Sequence, residues 1–501
     1  MKSQQYAAPS PLYAVIDLGS NSFHMLITRL VADGVQTVDK VKRKVRLASG
    51  LDEQLNLSEE AIGRGLECLS FFAERLQDIA PENIRIVATA TLRIANNAEH
   101  FLSRAQTVLK QPVRLLSGIE EAERIYLGVA HTSECSSRKL VLDIGGASTE
   151  IIAGEDFDIH HAISLNMGCV TFNQQFFCAG NIDEAAFSKA IAEAKSHLLP
   201  YIAQYSDFNW QHVLGGSGTM QALAEILMHQ NRSAIVTLAF MQEVKAQLIS
   251  AGQIEQINIG GLTSERSPVL ASGLAILIAL FETFEINALQ LSSGALREGL
   301  LYEMLPDMRS LHIRTRTVDS LVERFHIDVA HAERVSHQAM HLFNGYADNW
   351  QLHDDNLKQL LSCACQLHEV GLLLSYKNHQ RHGAYILQHA DLPGFDQTER
   401  QLLVNLVRLS KGDIPANAMA ELAITDTLTA TRLLAILRLA IILCRRRKDD
   451  VLPQYNTSVN ERMINLCLPS QWLEAHPLIS DELLHERQQL RALGLDLTIA
   501  C

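Results

Sequence analysis

At 501 residues the chain is too long for one hydrophobic core, and at roughly 150 residues per domain three or four domains are expected. Hydrophobic residues at 47% and charged ones at 20% exclude disordered and fibrous classes. The net charge of -13 argues against general nucleic-acid binding, which needs a surface basic enough to release phosphate counterions, so a polyanion would have to meet a local basic patch.

The segment before Pro11 is polar with no apolar stretch of the kind that leads export, and the most apolar run, Val269 to Phe281, is shorter than a bilayer and reads as a buried helix. The 9 cysteines are scattered, with Cys363-x-Cys365 the one close pair, which suggests neither a zinc site nor a disulfide framework. A cytoplasmic protein without membrane or nucleic-acid partners is the expectation.

Tyr13 to Ile16 is a β-forming run, Asp17-Leu18-Gly19-Ser20-Asn21-Ser22 a small polar turn, and Phe23 to Ile27 a second run, so the three read as a tight hairpin with Asp17 at its mouth. Glycine lets backbone approach an anion. The amides and hydroxyls of Gly19, Ser20, Asn21 and Ser22 suit phosphate oxygens, while the carboxylate is free to hold a metal or orient water. Next, Lys40 to Leu47 interleaves cations, among them Lys44 and Arg46, with apolar residues; it fits a charged strand edge and equally a basic groove for a polyphosphate or highly charged nucleotide. Ser58 to Leu76 has a capping Ser, acids in its first turn and an apolar stripe, the pattern of a core helix.

Ile84 to Val87 leads as a strand into Ala88-Thr89-Ala90-Thr91-Leu92-Arg93, which ends in a fork-shaped cation suited to bidentate phosphate binding. After Val113 to Leu116 and the turn Ser117-Gly118, Glu120 and Glu121 open a helix, where acids ordinarily just complement the dipole. Leu140 to Leu142, Asp143-Ile144-Gly145-Gly146-Ala147-Ser148-Thr149-Glu150 and Ile151-Ile152 then repeat the chemistry of the first hairpin. Two such loops imply two half-domains. Further Gly-rich turns, Gly215-Gly216-Ser217-Gly218-Thr219 and Ser292-Ser293-Gly294-Ala295, also follow β-like runs, while the absence of Gly-x-x-x-x-Gly-Lys-Ser/Thr and Gly-x-Gly-x-x-Gly counts against P-loop and Rossmann folds. Beyond Pro306-Asp307 the pattern becomes helical, with Val318, Leu321, Val322 and Phe325 on one face; from Ser458 it reads strand (Met463 to Leu468), helix (Ser480 to Leu493), strand (Leu495 to Ile499).

The paired Asp loops with the later Gly-rich turns resemble the superfamily of acetate and sugar kinases, Hsp70 and actin. More closely, Ile16 to His24, Ala88 to Arg93, Ser117-Gly118-Ile119-Glu120-Glu121-Ala122, Asp143 to Glu150 and Gly294-Ala295-Leu296-Arg297-Glu298-Gly299 resemble the exopolyphosphatase/guanosine pentaphosphate phosphatase family, in order from about residue 12 onward. The resemblance implies an α/β fold of two actin-like, ribonuclease H-like lobes (residues 1–125 and 126–305), a helical HD-like domain (306–457) and a small α+β domain (458–501). It also implies that Gly19, Ser20, Asn21, Ser22, Gly145, Gly146, Ala147, Ser148, Gly216 and Ser217 cradle phosphates. Arg93 would stabilise charge, Asp143 and Glu150 would hold Mg²⁺ or position water with Asp17 as a further ligand, and Glu121 would activate the attacking water. Ala122-Glu123-Arg124 departs from the family, which more often has Arg directly after that Ala.

Ala88 to Arg93, Ala147 and the run Arg445-Arg446-Arg447-Lys448-Asp449-Asp450 resemble the guanosine pentaphosphate branch. The expected reaction is therefore hydrolysis of the terminal 5'-phosphate of guanosine pentaphosphate, with polyphosphate as a second substrate and a homodimer as the assembly. Arg445, Arg446 and Arg447 would recognise the far end of the substrate, or simply end a helix as solvated cations. Other readings are an exopolyphosphatase, a small-molecule kinase, or an actin-like filament or nucleotide sensor without turnover. Cys365 to Gly371, with His379 and His382, resembles a degenerate His-Asp phosphohydrolase motif in which Glu369 replaces the Asp. Its longer carboxylate suits fixed metal distances poorly, so helix packing and surface histidines are expected there.

Overall fold

A computed structural model of the chain describes residues 10–133, 138–230, 232–310, 312–415, 418 and 426–500. The chain divides into two compact units at Ile313/Arg314, with the turn Ala32–Gly34 grouped with the second.

The first unit holds two sheets of the same design. One has β1 (Leu12–Leu18), β2 (Ser22–Val31), β3 (Gly34–Lys44), β4 (Ile84–Ala88) and β5 (Arg114–Leu115), ordered β3-β2-β1-β4-β5. The other has β6 (Arg138–Ile144), β7 (Thr149–Glu155), β8 (Asp158–Leu165), β9 (His212–Gly215) and β10 (Gln290–Leu291), ordered β10-β9-β6-β7-β8, which is the first order read from the other edge. Each opens with an antiparallel hairpin, Asp17 opposite His24 in one and Asp143 opposite Glu150 in the other; β8 adds antiparallel to β7, and parallel strands extend both sheets on the side of β1 and β6.

The central strands are apolar on both faces. Ala14, Ile16 and Leu18 enter a core shared with the helices Glu59–Leu76 and Ala98–Leu109, and Leu140, Leu142 and Ile144 enter a second core around the helix Ser267–Phe284. Val15 and Val141 face the opposite way, into a third core that also holds the helices Gly118–Ala130 and Leu296–Glu303. Strand period two therefore turns Asp17 and Asp143 toward the space between the sheets. The Ser267–Phe284 helix is long and apolar enough to cross a membrane, yet Leu270 to Phe281 are buried in the second core, as the sequence predicts. Its neighbours supply the apolar surroundings.

The helices Gly118–Ala130 and Leu296–Glu303 cross in backbone contact. A β-carbon on Gly128 would lie 2.1 Å from the Ala295 carbonyl oxygen, one on Gly294 2.3 Å from the Gly128 carbonyl oxygen, and one on Gly299 1.7 Å from that of Arg124. The Gly294 to Gly299 motif is thus half packing device. The boundary expected at residue 125 falls inside a helix that both sheets cover, because Tyr126 and Val129 belong to the core between them.

The second unit packs helices Ile313–Arg324, Val329–Trp350, Asp355–Leu367, His379–His389, Gln397–Leu409 and Thr427–Leu443 with a sheet of β11 (Asn456–Val459), β12 (Met463–Cys467) and β13 (Asp496–Ala500). β12 and β13 are parallel, and helix Pro477–Arg491 lies between them in sequence. The separate closing domain expected from residue 458 is not observed: Ile464, Leu466, Leu483 and Leu497 share one core with Leu434, Leu437 and Ala440. A sheet of three short strands has too little apolar surface of its own and buries one face on the helices.

Candidate active site

Between the two sheets lies a cavity of about 260 Å³. Both hairpin turns reach it. A β-carbon on Gly19 would meet the Ser22 carbonyl oxygen at 2.9 Å and one on Gly145 the Ser148 carbonyl oxygen at 3.1 Å, so each turn closes on itself in the same way. The turns also face each other, since a β-carbon on Gly146 would stand 2.8 Å from Cβ of Ser20 and 3.5 Å from the Asn21 nitrogen. The Ser20 and Asn21 carbonyls accept from the N–H groups of Ala48 (2.9 Å) and Arg46 (2.8 Å), and those of Gly145 and Gly146 from Cys169 (2.9 Å) and Val170 (2.8 Å). With those carbonyls engaged elsewhere, the turns suit an anion through their N–H groups, apart from that of Gly145, which donates to the Ser148 carbonyl oxygen at 2.8 Å.

Acids converge on the same cavity. Asp17, Glu121, Asp143 and Glu150 line it, Glu121 and Glu150 being 7% and 1% exposed. Burial pushes the Asp17 carboxyl up to about 7, with Glu121 and Glu298 adding to the rise and Arg297 opposing it. Asp143 rises to about 7 from burial and the charges of Glu121 and Asp17. Burial raises Glu150 well above the usual range, helped by Glu121 and Asp143 and opposed by the hydroxyls of Ser148 and Ser164, the latter donating to Oε1 at 2.7 Å. Glu121 is also raised by burial, against the pull of Arg93.

Arg93 is positioned by the helix Ala90–Ile94 just past β4. Its Nη1 donates to Glu121 Oε2 and to the Leu116 carbonyl oxygen (3.2 Å), and its Nη2 lies 4.0 Å from Glu150 Oε1. Glu121 owes its place to a capping box, in which the Ser117 hydroxyl accepts from the Glu120 N–H at 3.2 Å and the Glu120 carboxylate accepts from the Ser117 N–H at 2.8 Å. That box fixes the first turn, and Glu121 projects from it into the cavity.

Gly19, Ser20, Asn21, Ser22, Gly145, Gly146, Ser148, Gly216, Ser217 and Lys44 line the cavity as well. Ala147 is buried beneath its loop rather than in the lining, and Arg46 is exposed, contributing its backbone to the first turn. Arg445, Arg446 and Arg447 belong to the second unit, where they meet Glu482 (2.7 Å), His476 (3.0 Å) and, for Arg447, Asp328 (3.1 Å) and Glu369. The run follows the end of the helix Thr427–Leu443, with Arg445 half-buried and Arg446 and Arg447 exposed, and its arginines find partners within their own unit. His368 and His379, expected as packing or surface residues, are 2% and 5% exposed and line a second cavity with Glu369.

Sequence reasoning missed Arg297, whose Nη1 lies 2.8 Å from His24 Nδ1 and whose charge opposes the acids. Its signal was a fork-shaped cation directly after a fourth Gly-rich turn. His24, opposite Asp17 in the hairpin, is held neutral to about 3 by burial with Arg297, Lys42 and Lys40. Nothing in the sequence marked Ser164, which β8 brings beside Glu150.

The donor set suits a hard divalent cation, because carboxylate oxygens of Asp17, Asp143 and Glu150 surround the cavity and the buried Asp17 Oδ1 has no hydrogen-bond partner. Two Asp hairpins and a carboxylate-rich cleft between duplicated α/β lobes define an actin-like phosphate-transfer fold. Residues 26–308 match the Ppx/GppA phosphatase family and residues 313–487 its domain III, and the chain belongs to that family. It is 45% identical over 488 residues to the guanosine-5'-triphosphate,3'-diphosphate pyrophosphatase of Pseudoalteromonas translucida, covering 97% of this chain and 98% of that one. A Photobacterium profundum protein of the same name is 45% identical over 98% of both chains. Among solved structures, an exopolyphosphatase from Cytophaga hutchinsonii aligns with a TM-score of 0.54 at 25% identity, over 59% of this chain and 98% of that one.

Proposed function

We propose that this protein hydrolyses the terminal 5'-phosphate of guanosine pentaphosphate, releasing guanosine tetraphosphate and orthophosphate, and acts more slowly on inorganic polyphosphate. The observation that carries the reading is the meeting, at one cavity, of the two facing Asp turns with Glu121, to which Arg93 donates from outside the lining. The turns at Gly19 to Ser22 and Gly145 to Ser148 bind the terminal phosphates through N–H and hydroxyl groups. Arg93 exchanges part of its interaction with Glu121 for the entering phosphoryl oxygens, which frees the Glu121 carboxylate. Glu121 takes a proton from water as its oxygen bonds to the terminal phosphorus, and the bridging P–O bond breaks toward the nucleotide. Asp143, Glu150 and Asp17 would hold Mg²⁺, which when bound neutralises phosphate charge. A cytoplasmic homodimer completes the proposal.

Names carried by relatives 45% identical over nearly the whole chain favour the guanosine substrate over polyphosphate. Phosphate release measured side by side from guanosine pentaphosphate, polyphosphate and ATP, with and without Mg²⁺, tests it. Guanosine pentaphosphate should be the best substrate and Mg²⁺ required. Release confined to polyphosphate would make the protein an exopolyphosphatase, and tight guanosine nucleotide binding without release would make it a sensor.

A further inference from the structure

The second unit carries a cavity of about 250 Å³ that the proposed reaction does not use. Its lining is cationic. Lys411, Arg445 and Arg447 border it, and Glu369, the one carboxylate in its described lining, already accepts from Arg447. Arg445 gives an N–H to Glu482 at 2.7 Å and keeps others of the five in its fork. The Lys411 ammonium lies 4.6 Å from the centre of the Tyr376 ring and meets no carboxylate among the described residues. Surplus positive charge in a walled cavity calls for an anion.

Two imidazoles add a second requirement. His368 and His379 line the same cavity at 2% and 5% exposure, and Nε2 of His368 and Nδ1 of His379 are buried without a hydrogen-bond partner. Nδ1 of His368 is 2.7 Å from the Cys365 carbonyl oxygen, which can only accept, so Nδ1 carries the proton. Burial holds the ring down to about 4 despite that carbonyl, with Arg447 adding to the fall, so the ring is neutral and Nε2 holds a lone pair. Burial lowers His379 to about 4 as well, and Lys411, His368 and Arg445 all bear on it, which gathers these groups around one centre. An unpartnered buried acceptor is costly, so the ligand must bring a donor as well as negative charge. An anion that also donates is an incompletely ionised oxyanion. Orthophosphate keeps a P–O–H group at neutral and mildly alkaline pH, whereas sulfate keeps none and a phosphomonoester, with its second pKa at about 6, keeps almost none. We propose that this cavity binds orthophosphate, its ionised oxygens accepting from Lys411 and Arg445 and its P–O–H donating to Nε2 of His368. Arg447 holds Glu369 neutralised beside it and donates to Asp328 at 3.1 Å. Binding here is independent of the reaction proposed for the first unit.

The test is equilibrium dialysis of untagged full-length protein against radiolabelled orthophosphate at mildly alkaline pH, without divalent cations. One equivalent should bind. Lys411→Gln and Arg445→Gln should each weaken it about tenfold or more, and Arg93→Gln, in the first unit, should leave it unchanged. Sulfate and a nucleoside 5'-monophosphate, each at the same concentration as orthophosphate, should displace little of it. No binding would overturn the site, as would binding lost in Arg93→Gln and kept in Lys411→Gln. Displacement by sulfate as effective as that by unlabelled orthophosphate would remove the donation to His368, and stronger displacement by the monophosphate would give the cavity to a nucleotide; either result overturns orthophosphate as the ligand. If Arg445→Gln fails to fold, Lys411→Gln, altered at a half-buried side chain, decides alone.

Discussion

Burial raises the basicity of Glu121 and Arg93 opposes the rise without cancelling it, which suits the proton acceptor proposed for this position. Glu121→Gln keeps the shape and removes the base, so phosphate release should fall about 10²–10⁴-fold while substrate binding persists. Single-turnover release together with equilibrium binding measures both, and near wild-type release would remove Glu121 from its role. Asp143 differs, because the contribution proposed for it passes through a cation. Asp143→Asn should lower activity in a way that raised Mg²⁺ partly restores, since mass action offsets a weakened ligand. A deficit indifferent to Mg²⁺ would leave Asp143 positioning water instead.

At the scale of elements, glycine marks where two helices touch. Gly299→Ala would place a β-carbon 1.7 Å from the Arg124 carbonyl oxygen, whereas Gly63, in the helix Glu59–Leu76, has nothing within 4 Å. The same substitution should therefore destabilise by about 1–3 kcal/mol or more at position 299 and stabilise by about 0.5–1 kcal/mol at position 63. Chemical denaturation of the two variants checks the opposite signs. In the second unit the apolar helix Thr427–Leu443 buries Arg438, whose Nε and Nη2 each meet the Glu486 carboxylate at 2.7 Å, with Nη1 on the Leu409 carbonyl oxygen at 2.5 Å. Glu486→Ala leaves that cation unpaired and should cost about 3–5 kcal/mol, while Arg438→Met combined with Glu486→Leu should recover most of the loss. Denaturant midpoints of single and double variants decide it.

Across the whole molecule, the cavity that carries the proposed chemistry lies wholly in the first unit, and solved relatives such as the Cytophaga protein correspond to about that much of the chain. A fragment ending at residue 313 should fold, melt cooperatively and release phosphate from guanosine pentaphosphate and short polyphosphate with KM values close to those of the full chain. Equal KM values for fragment and full chain would place nucleotide recognition in the first unit. The duplicated hairpins were legible from the sequence because an Asp, glycines and hydroxyls between β-forming runs leave few other conformations, and period two along β1 and β6 then decides which way Asp17 and Asp143 turn. The facing of Gly146 and Ser20, the arrival of Ser164 beside Glu150 and the meeting of His331 with His368 were not legible, because these contacts join residues far apart in sequence. For the same reason the fate of the arginine run was open: Arg445 and Arg447 have the same chemistry in solvent or in ion pairs, and only packing brings Glu482, Asp328 and Glu369 to them. Local pattern determined the strands, turns and candidate acids, and tertiary structure decided partners, burial and basicity, since charge interactions depend on distance and solvent access that no local pattern contains.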